Sequence, residues 1–98
     1  MTNGDGHMGK SLKRDVENKL YAPVGAWLVF SDGFICTLDK RYKELYKMRY
    51  ITRESVRKTC VKMHISRTTY YIWRDKILRL AVREARKDGL IGGDNVLK

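Results

Sequence analysis

The sequence predicts an all-α fold, a small helical bundle that ends in a helix–turn–helix unit, with a possible short hairpin at residues 26–36. Two observations predict it. Apolar residues recur at helical spacing along most of the chain, and serine or threonine stands where two of the helices would begin. With 98 residues, 43% hydrophobic and 33% charged, the chain has the length and composition of one globular domain.

Three regions are predicted along the chain. Residues 1–9 are interpreted as a cloning remnant or a disordered segment, and residues 91–98 as a frayed tail. Residues 10–90 are predicted to form a single helical domain, with the helix–turn–helix at residues 53–87. No apolar run approaches the roughly 18 residues that cross a bilayer, so no contact with a membrane is expected.

The first helix is predicted over residues 11–21. Its apolar residues Leu12, Val16 and Leu20 recur at i, i+4 and i+8, with polar residues between them. Pro23 then ends this helix or starts the next, because proline fits only in the first turn of a helix.

The apolar runs at residues 26–30 and 34–36 flank a Ser-Asp-Gly turn signal. They can form one short buried helix that begins at Pro23 and ends at Gly33, or two strands that pair as a hairpin across the turn. Runs this short have no decisive periodicity, and a helix is preferred because the flanking sequence is helical. In either case the run at residues 26–30 is predicted to lie in the core.

A third helix is predicted to begin near Asp39. Tyr42, Leu45 and Tyr46 form its apolar stripe. Its lysines and arginines lie largely outside that stripe, so they are expected to face solvent or an anionic partner.

Two further helices complete the chain. Thr52 predicts the N-cap of a helix over residues 53–63, and Ser66 predicts the N-cap of a longer helix over residues 67–87. Gly89 is expected to end the longer helix. The residues that these two helices are expected to bury are Val56, Cys60, Met63, Tyr70, Trp73, Ile77, Leu80 and Ala81.

Two helices joined by a turn of three or four residues, the second with a serine cap, match the helix–turn–helix pattern. In that pattern a small residue lies where the helices cross and an apolar residue fills the turn. Cys60 and Ile65 are placed to do this. His64 stands where the turn often carries glycine with a positive φ, a conformation that histidine tolerates better than β-branched residues do.

The positive charge is concentrated in the C-terminal half. The chain carries a net charge of +10, and residues 40–87 alone hold 16 basic and four acidic residues. A concentrated positive field favours a polyanion such as DNA, RNA or an anionic membrane surface. The alternative is a basic surface that is only solvated.

The residue types that most enzymes and metal sites need are sparse. Cys36 and Cys60 lie far apart and in no Cys-x-x-Cys pair, so we expect them to be small core residues. The two histidines are His7 and His64, and no glycine-rich phosphate loop is present. We therefore expect neither an enzyme nor a metal or other cofactor.

The first turns of the last helix carry the residues that we expect to contact DNA. Arg67, Thr68, Tyr71 and Arg74 recur at i, i+1, i+4 and i+7, away from the apolar anchors of that helix. Arginine can bond guanine edges or phosphate, and the threonine and tyrosine hydroxyls can make mixed contacts.

Phosphate contacts are expected around this face. Ser66 and Thr69 lie where free N–H groups and the positive end of the helix attract phosphate. Arg53 and Lys62 on the preceding helix are expected to add salt-dependent phosphate contacts.

The segments LYKMRYI at residues 45–51 and MHISRTTYYIWR at residues 63–74 resemble known proteins. They are similar to the C-terminal domain of small phage regulators of the ArpU and RinA type, which are themselves similar to region 4 of sigma-70 factors. In those families an Arg-Tyr pair, here Arg49 and Tyr50, closes one helix, and a run like residues 65–71 opens the recognition helix. Phage antitermination Q proteins share a related layout.

The resemblance covers about residues 39–87 and implies a helical DNA-binding domain. It implies action on phage or prophage transcription, with double-stranded DNA as the partner. The chain is accordingly expected in the cytoplasm of a bacterial host cell. It places at the DNA the residues Ser66, Arg67, Thr68, Tyr71 and Arg74.

Three functions are consistent with the sequence. The leading hypothesis is a sequence-specific, double-stranded DNA-binding transcriptional regulator that reads the major groove with the helix starting at Ser66. The second is a phage terminase small subunit or another packaging protein, and the third is a basic interaction module that docks an acidic partner. Since one domain of this size reads only a few base pairs, useful specificity would need a homodimer or RNA polymerase.

Overall fold

A computed structural model describes the backbone of residues 3–91 and the side chains of residues 12–91. Over this range the chain is helical with short connections and contains no strand, which confirms the predicted all-α fold. The elements in chain order are α1 Asn3–Tyr21, α2 Ala26–Thr37, α3 Lys40–Tyr46, a π-helical segment Lys47–Ile51, α4 Val56–Met63 and α5 Arg67–Lys87.

The central element is α5, because α1, α2, α3 and α4 all pack against it. Apolar side chains from α1, α2, α3, the π segment and α5 meet in a single core, and Leu38 closes the end of α2. The buried apolar residues are Val16, Leu20, Phe30, Phe34, Leu38, Leu45, Tyr46, Tyr50, Tyr70, Ile77, Leu78, Ala81 and Ala85.

The first helix is longer than predicted. It begins at Asn3, upstream of the expected start at residue 11, and ends two residues before Pro23. Val16 and Leu20 are buried as expected, and Leu12 is half-buried. The interpretation of residues 1–9 as a cloning remnant stays a prediction, and residues 92–98 of the expected tail lie outside the described residues.

Residues 26–37 form a helix, so the alternative hairpin is wrong. The helix also continues through Gly33 to Thr37, because Gly33 has ordinary helical backbone; Gly25, at φ +57°, precedes the first turn instead. The predicted burial of the run at residues 26–30 is only partly correct. Phe30 is buried, but neighbouring apolar side chains face solvent, since a helix with apolar residues on all sides cannot turn every one of them towards one core.

The start of α4 differs from the prediction. The N–H of Thr52 donates to the carbonyl of Lys47 at 2.9 Å, so Thr52 still closes the π turn and caps no helix. Arg53 then takes the left-handed conformation at φ +57°, and Ser55 is the true N-cap, accepting from the N–H of Lys58 at 3.1 Å. The helix–turn–helix unit therefore begins at α4 and not at residue 53.

The end of α5 follows the prediction. Gly89 adopts φ +76°, its N–H donates to the carbonyl of Arg86 at 3.1 Å, and the N–H of Leu90 donates to that of Ala85 at 2.9 Å. This pair of hydrogen bonds is the Schellman arrangement, which favours glycine at the left-handed position.

Within the described part of the chain, no single helix has the length and apolarity to cross a membrane. Leu12–Tyr21 and Ala26–Thr37 reach that length and composition only when they are taken together, and they are bent by 93° at their junction.

Two isoleucines on α5 test the orientation of this helix. Ile77 is 1% exposed and Ile72 is 61% exposed. We expect Ile77→Ala to lower the free energy of unfolding by about 2–5 kcal/mol, because it leaves a cavity in the core. Ile72→Ala should change it by less than about 0.5 kcal/mol. Urea unfolding of both variants checks this, and equal losses would contradict the orientation.

Candidate nucleic-acid interface

The turn between α4 and α5 has the geometry expected of a helix–turn–helix. His64 adopts the left-handed conformation at φ 57° and ψ 48°, which confirms the predicted positive φ. The N–H of Ile65 donates to the carbonyl of Cys60 at 3.0 Å, and the Ile65 side chain packs against the core. The Ser66 hydroxyl then accepts from the N–H of Thr69 at 3.1 Å, which confirms the predicted cap of α5.

The small residue buried on α4 is Thr59, not Cys60 as predicted. Thr59 is fully buried and Cys60 is half-buried. A threonine can take this position because its hydroxyl donates to the carbonyl of Ser55 at 2.9 Å, so no polar group is left without a partner. Cys36, the other cysteine expected in the core, is exposed on α2.

A buried carboxylate fixes α5 against the rest of the bundle. Glu17 on α1 is 7% exposed and accepts four hydrogen bonds. They come from Arg49 Nε at 2.9 Å, the Tyr50 hydroxyl at 2.6 Å, Arg74 Nε at 3.1 Å and Arg74 Nη2 at 3.0 Å. Arg49 also donates to the hydroxyl of Tyr70, the most deeply buried aromatic residue on α5.

Burial and hydrogen bonding have opposite effects on the pKa of the Glu17 carboxyl group. Burial alone would raise the pKa of Glu17, but the bonds from Arg74, Tyr50 and Arg49 outweigh it and lower that pKa to about 2. Burial and the bond to the Glu17 carboxylate both raise the pKa of Tyr50. Glu17 is therefore an anion and Tyr50 a neutral donor at neutral pH.

Two further contacts restrain the first half of α5. The Trp73 ring packs edge-on against Tyr42 with 5.7 Å between centroids, and Lys13 Nζ bonds the Asp75 carboxylate at 2.7 Å. Together with the Glu17 cluster, these contacts tie α5 to α1, α3 and the π segment within its first three turns.

Several residues predicted to contact DNA are exposed at the start of α5. Ser66, Arg67 and Thr68 are exposed, and Tyr71 is 45% exposed. Thr69 is half-buried, and its hydroxyl accepts from that of Ser66 at 3.1 Å. The structure thus brings these residues together around one helix end.

Three other predicted contacts are engaged within the protein. Arg74 does not point away from the bundle as expected, because its guanidinium bonds Glu17. Arg53 donates to the carbonyl of Tyr21 at 2.7 Å, and Lys62 pairs with Glu54 at 3.4 Å. Contact of these three residues with DNA stays a prediction.

Two exposed residues on the outer face of α5 were not among the predicted DNA contacts. Ile72 and Lys76 follow Thr68 at intervals of four residues, and all three are exposed. At about 100° per residue, this row lies opposite the buried face of Tyr70 and Ile77. The angular position of each residue around the helix axis, taken relative to Tyr70 and Ile77, would have identified these residues as exposed.

Arg57 on α4 and Arg67 on α5 make no ion pair among residues 12–91. Within the same residues, no group of three or more histidine, cysteine or acidic side chains is arranged to hold a metal ion. The exposed chemistry at this end of the molecule is therefore cationic, hydroxylic and apolar.

The fold and site define a small all-α protein with a helix–turn–helix near its C-terminal end. The family model described as "Protein of unknown function (DUF1492)" matches residues 30–84, and the chain belongs to this family. The matched range contains Arg49, Arg74 and the helix–turn–helix, but not Glu17. No curated protein and no solved structure matches the chain.

The Glu17 cluster predicts that two arginines on α5 differ in their effect on stability. Arg74→Ala should lower the free energy of unfolding by about 2–3 kcal/mol. Breaking an isolated buried ion pair costs more, roughly 3–5 kcal/mol. The loss is smaller here because Arg49 and Tyr50 still bond Glu17. Arg79→Ala removes a surface pair with Asp75 and should cost less than about 1 kcal/mol. Similar losses in both variants, measured by urea unfolding, would contradict this role for Glu17.

The low pKa of Glu17 also predicts how stability depends on pH. Its pKa falls from 4.5 to about 2 on folding, so its contribution is complete above pH 4.5 and is lost as the pH falls towards 2. The expected loss over that window is roughly 3 kcal/mol. The pKa of Asp75 is lowered by its bond from Lys13, so it acts in the same direction.

Urea unfolding between pH 6 and pH 2 checks this dependence. Glu17→Gln should be less stable at neutral pH and should lose less stability on acidification than the unmodified chain, whereas Asp75→Asn should keep most of the dependence. An unchanged acid dependence in Glu17→Gln would contradict the assignment.

Proposed function

We propose that the chain is a non-enzymatic, sequence-specific protein that binds double-stranded DNA with the first turns of α5 in the major groove. The observation that carries this proposal is the group of exposed side chains Arg67, Thr68, Tyr71 and Ile72 beside the Ser66 cap. Three of them have no part in the core, and Tyr71 only borders it through an edge contact with Tyr70.

These side chains offer the contacts that base edges accept. The Arg67 guanidinium can bond guanine O6 and N7, and the Thr68 hydroxyl can donate to or accept from several bases. The apolar side chain of Ile72 suits the methyl group of thymine. A row of this mixed chemistry, exposed on a helix end, is what direct readout of a major groove requires.

Phosphate contacts would surround this row. The free N–H groups of the first turn of α5 and the positive end of its dipole attract phosphate. Arg57 is exposed on α4, and Lys62 keeps half of its side chain exposed despite its pair with Glu54. The excess of 12 positive charges in residues 40–87 supports strong, salt-dependent attraction to DNA.

The restraint of α5 supports specific binding rather than simple charge attraction. Base readout requires side chains held within about 0.5 Å of the productive position by a rigid scaffold. The fully buried Tyr70 and the Glu17–Arg74 pair fix α5 within the turns that carry the exposed row. A helix restrained in this way can present one register to DNA.

The biological setting that we propose rests on the resemblance to ArpU- and RinA-type regulators. It is control of phage or prophage transcription in a bacterial cytoplasm, with RNA polymerase as a second partner. Selection of bound fragments from host and phage genomes tests this setting: promoter-proximal fragments support regulation, and fragments at a packaging site would instead indicate a terminase small subunit.

Two arginines on α5 provide a matched test of the DNA interface. Arg67→Ala should weaken binding to a selected fragment by about 1–3 kcal/mol, or roughly 5- to 150-fold, without lowering the melting temperature. Arg83→Ala removes the same charge from the far half of the helix and should weaken binding much less. Fluorescence anisotropy at fixed salt, with an unrelated duplex as competitor, measures both.

Two results would contradict the proposal. No binding to any duplex at low salt would exclude DNA as the partner and favour an acidic protein. Equal losses in Arg67→Ala and Arg83→Ala, with no preference among fragments, would mean that the positive charge attracts DNA without reading its sequence.

A further inference from the structure

The outer face of α5 changes character along the helix. In the first two turns it carries the β-branched residues Thr68 and Ile72, both exposed. Further along, the same face carries the long basic side chains of Lys76, Arg79 and Arg83. An exposed helix position normally favours residues of the second kind, because a β-branched side chain loses freedom in a helix. Exposed β-branched residues in the first two turns therefore indicate a requirement other than helix formation.

The apolar surface at this point of α5 is small. Ile72 is 61% exposed, and the residues one turn before and after it on the outer face are Thr68 and Lys76. A specific interface between proteins buries roughly 1,000 Å² or more, which one isoleucine and one threonine methyl group cannot supply. The size of this surface instead matches a single small apolar group in otherwise polar surroundings.

Thymine presents such a group. Its C5 methyl is the apolar feature that the bases display in the major groove, and an apolar side chain can cover it without forming a hydrogen bond. The nearby charges fit the same partner, since Arg67 and Lys76 are exposed cations that phosphate groups attract. An apolar side chain set among cations on a helix face suits a thymine methyl group beside a phosphate backbone.

We infer that Ile72 determines specificity by covering the methyl group of a thymine in an A·T base pair, and that the methyl group of Thr68 covers a second thymine. This inference rests on the proposed DNA interface and names the sequence feature that the interface reads. The two residues are four positions apart, or about 6 Å along the helix axis. Base pairs are stacked about 3.4 Å apart, so the two thymines would lie within two base-pair steps of each other.

The stiffness of Ile72 favours this contact. A β-branched isoleucine in a helix takes essentially one χ1 rotamer, so little side-chain freedom is lost when it binds. The helix is also fixed in the same turns by the buried Tyr70 and by the ion pair between Arg74 and Glu17. Ile72 is therefore held ready for a contact whose strength depends on close approach.

Deoxyuridine provides a direct test, because it lacks the methyl group of thymine and keeps the same base pairing. The probe is a duplex selected from genomic fragments, with each thymine replaced in turn and binding measured by fluorescence anisotropy at fixed salt. At one thymine the unmodified chain should lose affinity about three- to fivefold, the value of one buried methyl group. Ile72→Ala should show no loss at that thymine, because the alanine side chain is too short to reach it.

Lys76→Ala is the matched control for Ile72→Ala. It truncates the next residue of the same row, where we expect a phosphate contact. This variant should weaken binding to the thymine and deoxyuridine duplexes by the same factor, so their affinity ratio should stay at about three to five. Both residues are exposed, so neither substitution should lower the melting temperature.

Two substitutions of Thr68 separate its methyl group from its hydroxyl. Thr68→Ser keeps the hydroxyl and removes the methyl group, whereas Thr68→Val keeps the methyl group and removes the hydroxyl. At the second thymine, the effect of deoxyuridine should disappear in Thr68→Ser and persist in Thr68→Val. The reverse result would mean that Thr68 contacts DNA through its hydroxyl, and would overturn its assignment to a methyl group.

The outcomes distinguish this inference from the proposed function. Selective binding to a duplex that is insensitive to deoxyuridine at every thymine would overturn the inference and leave the proposed DNA interface standing. Equal sensitivity to deoxyuridine in the unmodified chain and in Ile72→Ala would do the same. Failure to bind any duplex at low salt would overturn both.

Discussion

The bond network around the Glu17 carboxylate is the constraint on which the arrangement of this protein depends. Two guanidinium groups and a phenol converge on one buried carboxylate, from α5 and from the π segment. A buried charge is costly unless it is fully paired, so the chain must bring all three donors to it at once. The position of α5 relative to α1 follows from that requirement.

The π segment supplies two of those donors. Arg49 and Tyr50 are neighbours in sequence, and both bond the same Glu17 oxygen. A π turn widens the helix by one residue per turn, and such turns often occur where side chains need an unusual orientation. The Arg-Tyr pair that marks the resemblance to phage regulators is thus, in this chain, part of the internal framework that positions α5.

Local signals in the sequence were sufficient to predict the helix–turn–helix. The serine cap, the histidine in a left-handed turn and the terminal glycine define α5 as Arg67–Lys87, and each acts over only a few residues. The sequence pattern also identified Tyr70 as a core anchor and Tyr71 as exposed.

The features that the sequence did not predict depend on contacts between distant residues. Glu17 and Arg74 are 57 positions apart, and nothing in their local sequence indicates that they pair. The residues at i, i+4 and i+7 from Arg67 form a row that turns towards α1 along the helix. Arg74 was therefore predicted to be exposed, and Ile72 was not identified. The choice of Ser55 over Thr52 as a cap likewise depends on where the π segment ends.

In the proposed complex, the first turns of α5 contact DNA while the hydrogen bonds of the Glu17 cluster stay unchanged. This is tested by titrating isotope-labelled protein with a selected duplex and recording the amide chemical shifts by NMR. We expect large chemical-shift changes at Arg67, Thr68 and Ile72, and small changes across α2. Shifts concentrated on α2, or spread evenly over every basic residue of the chain, would contradict it.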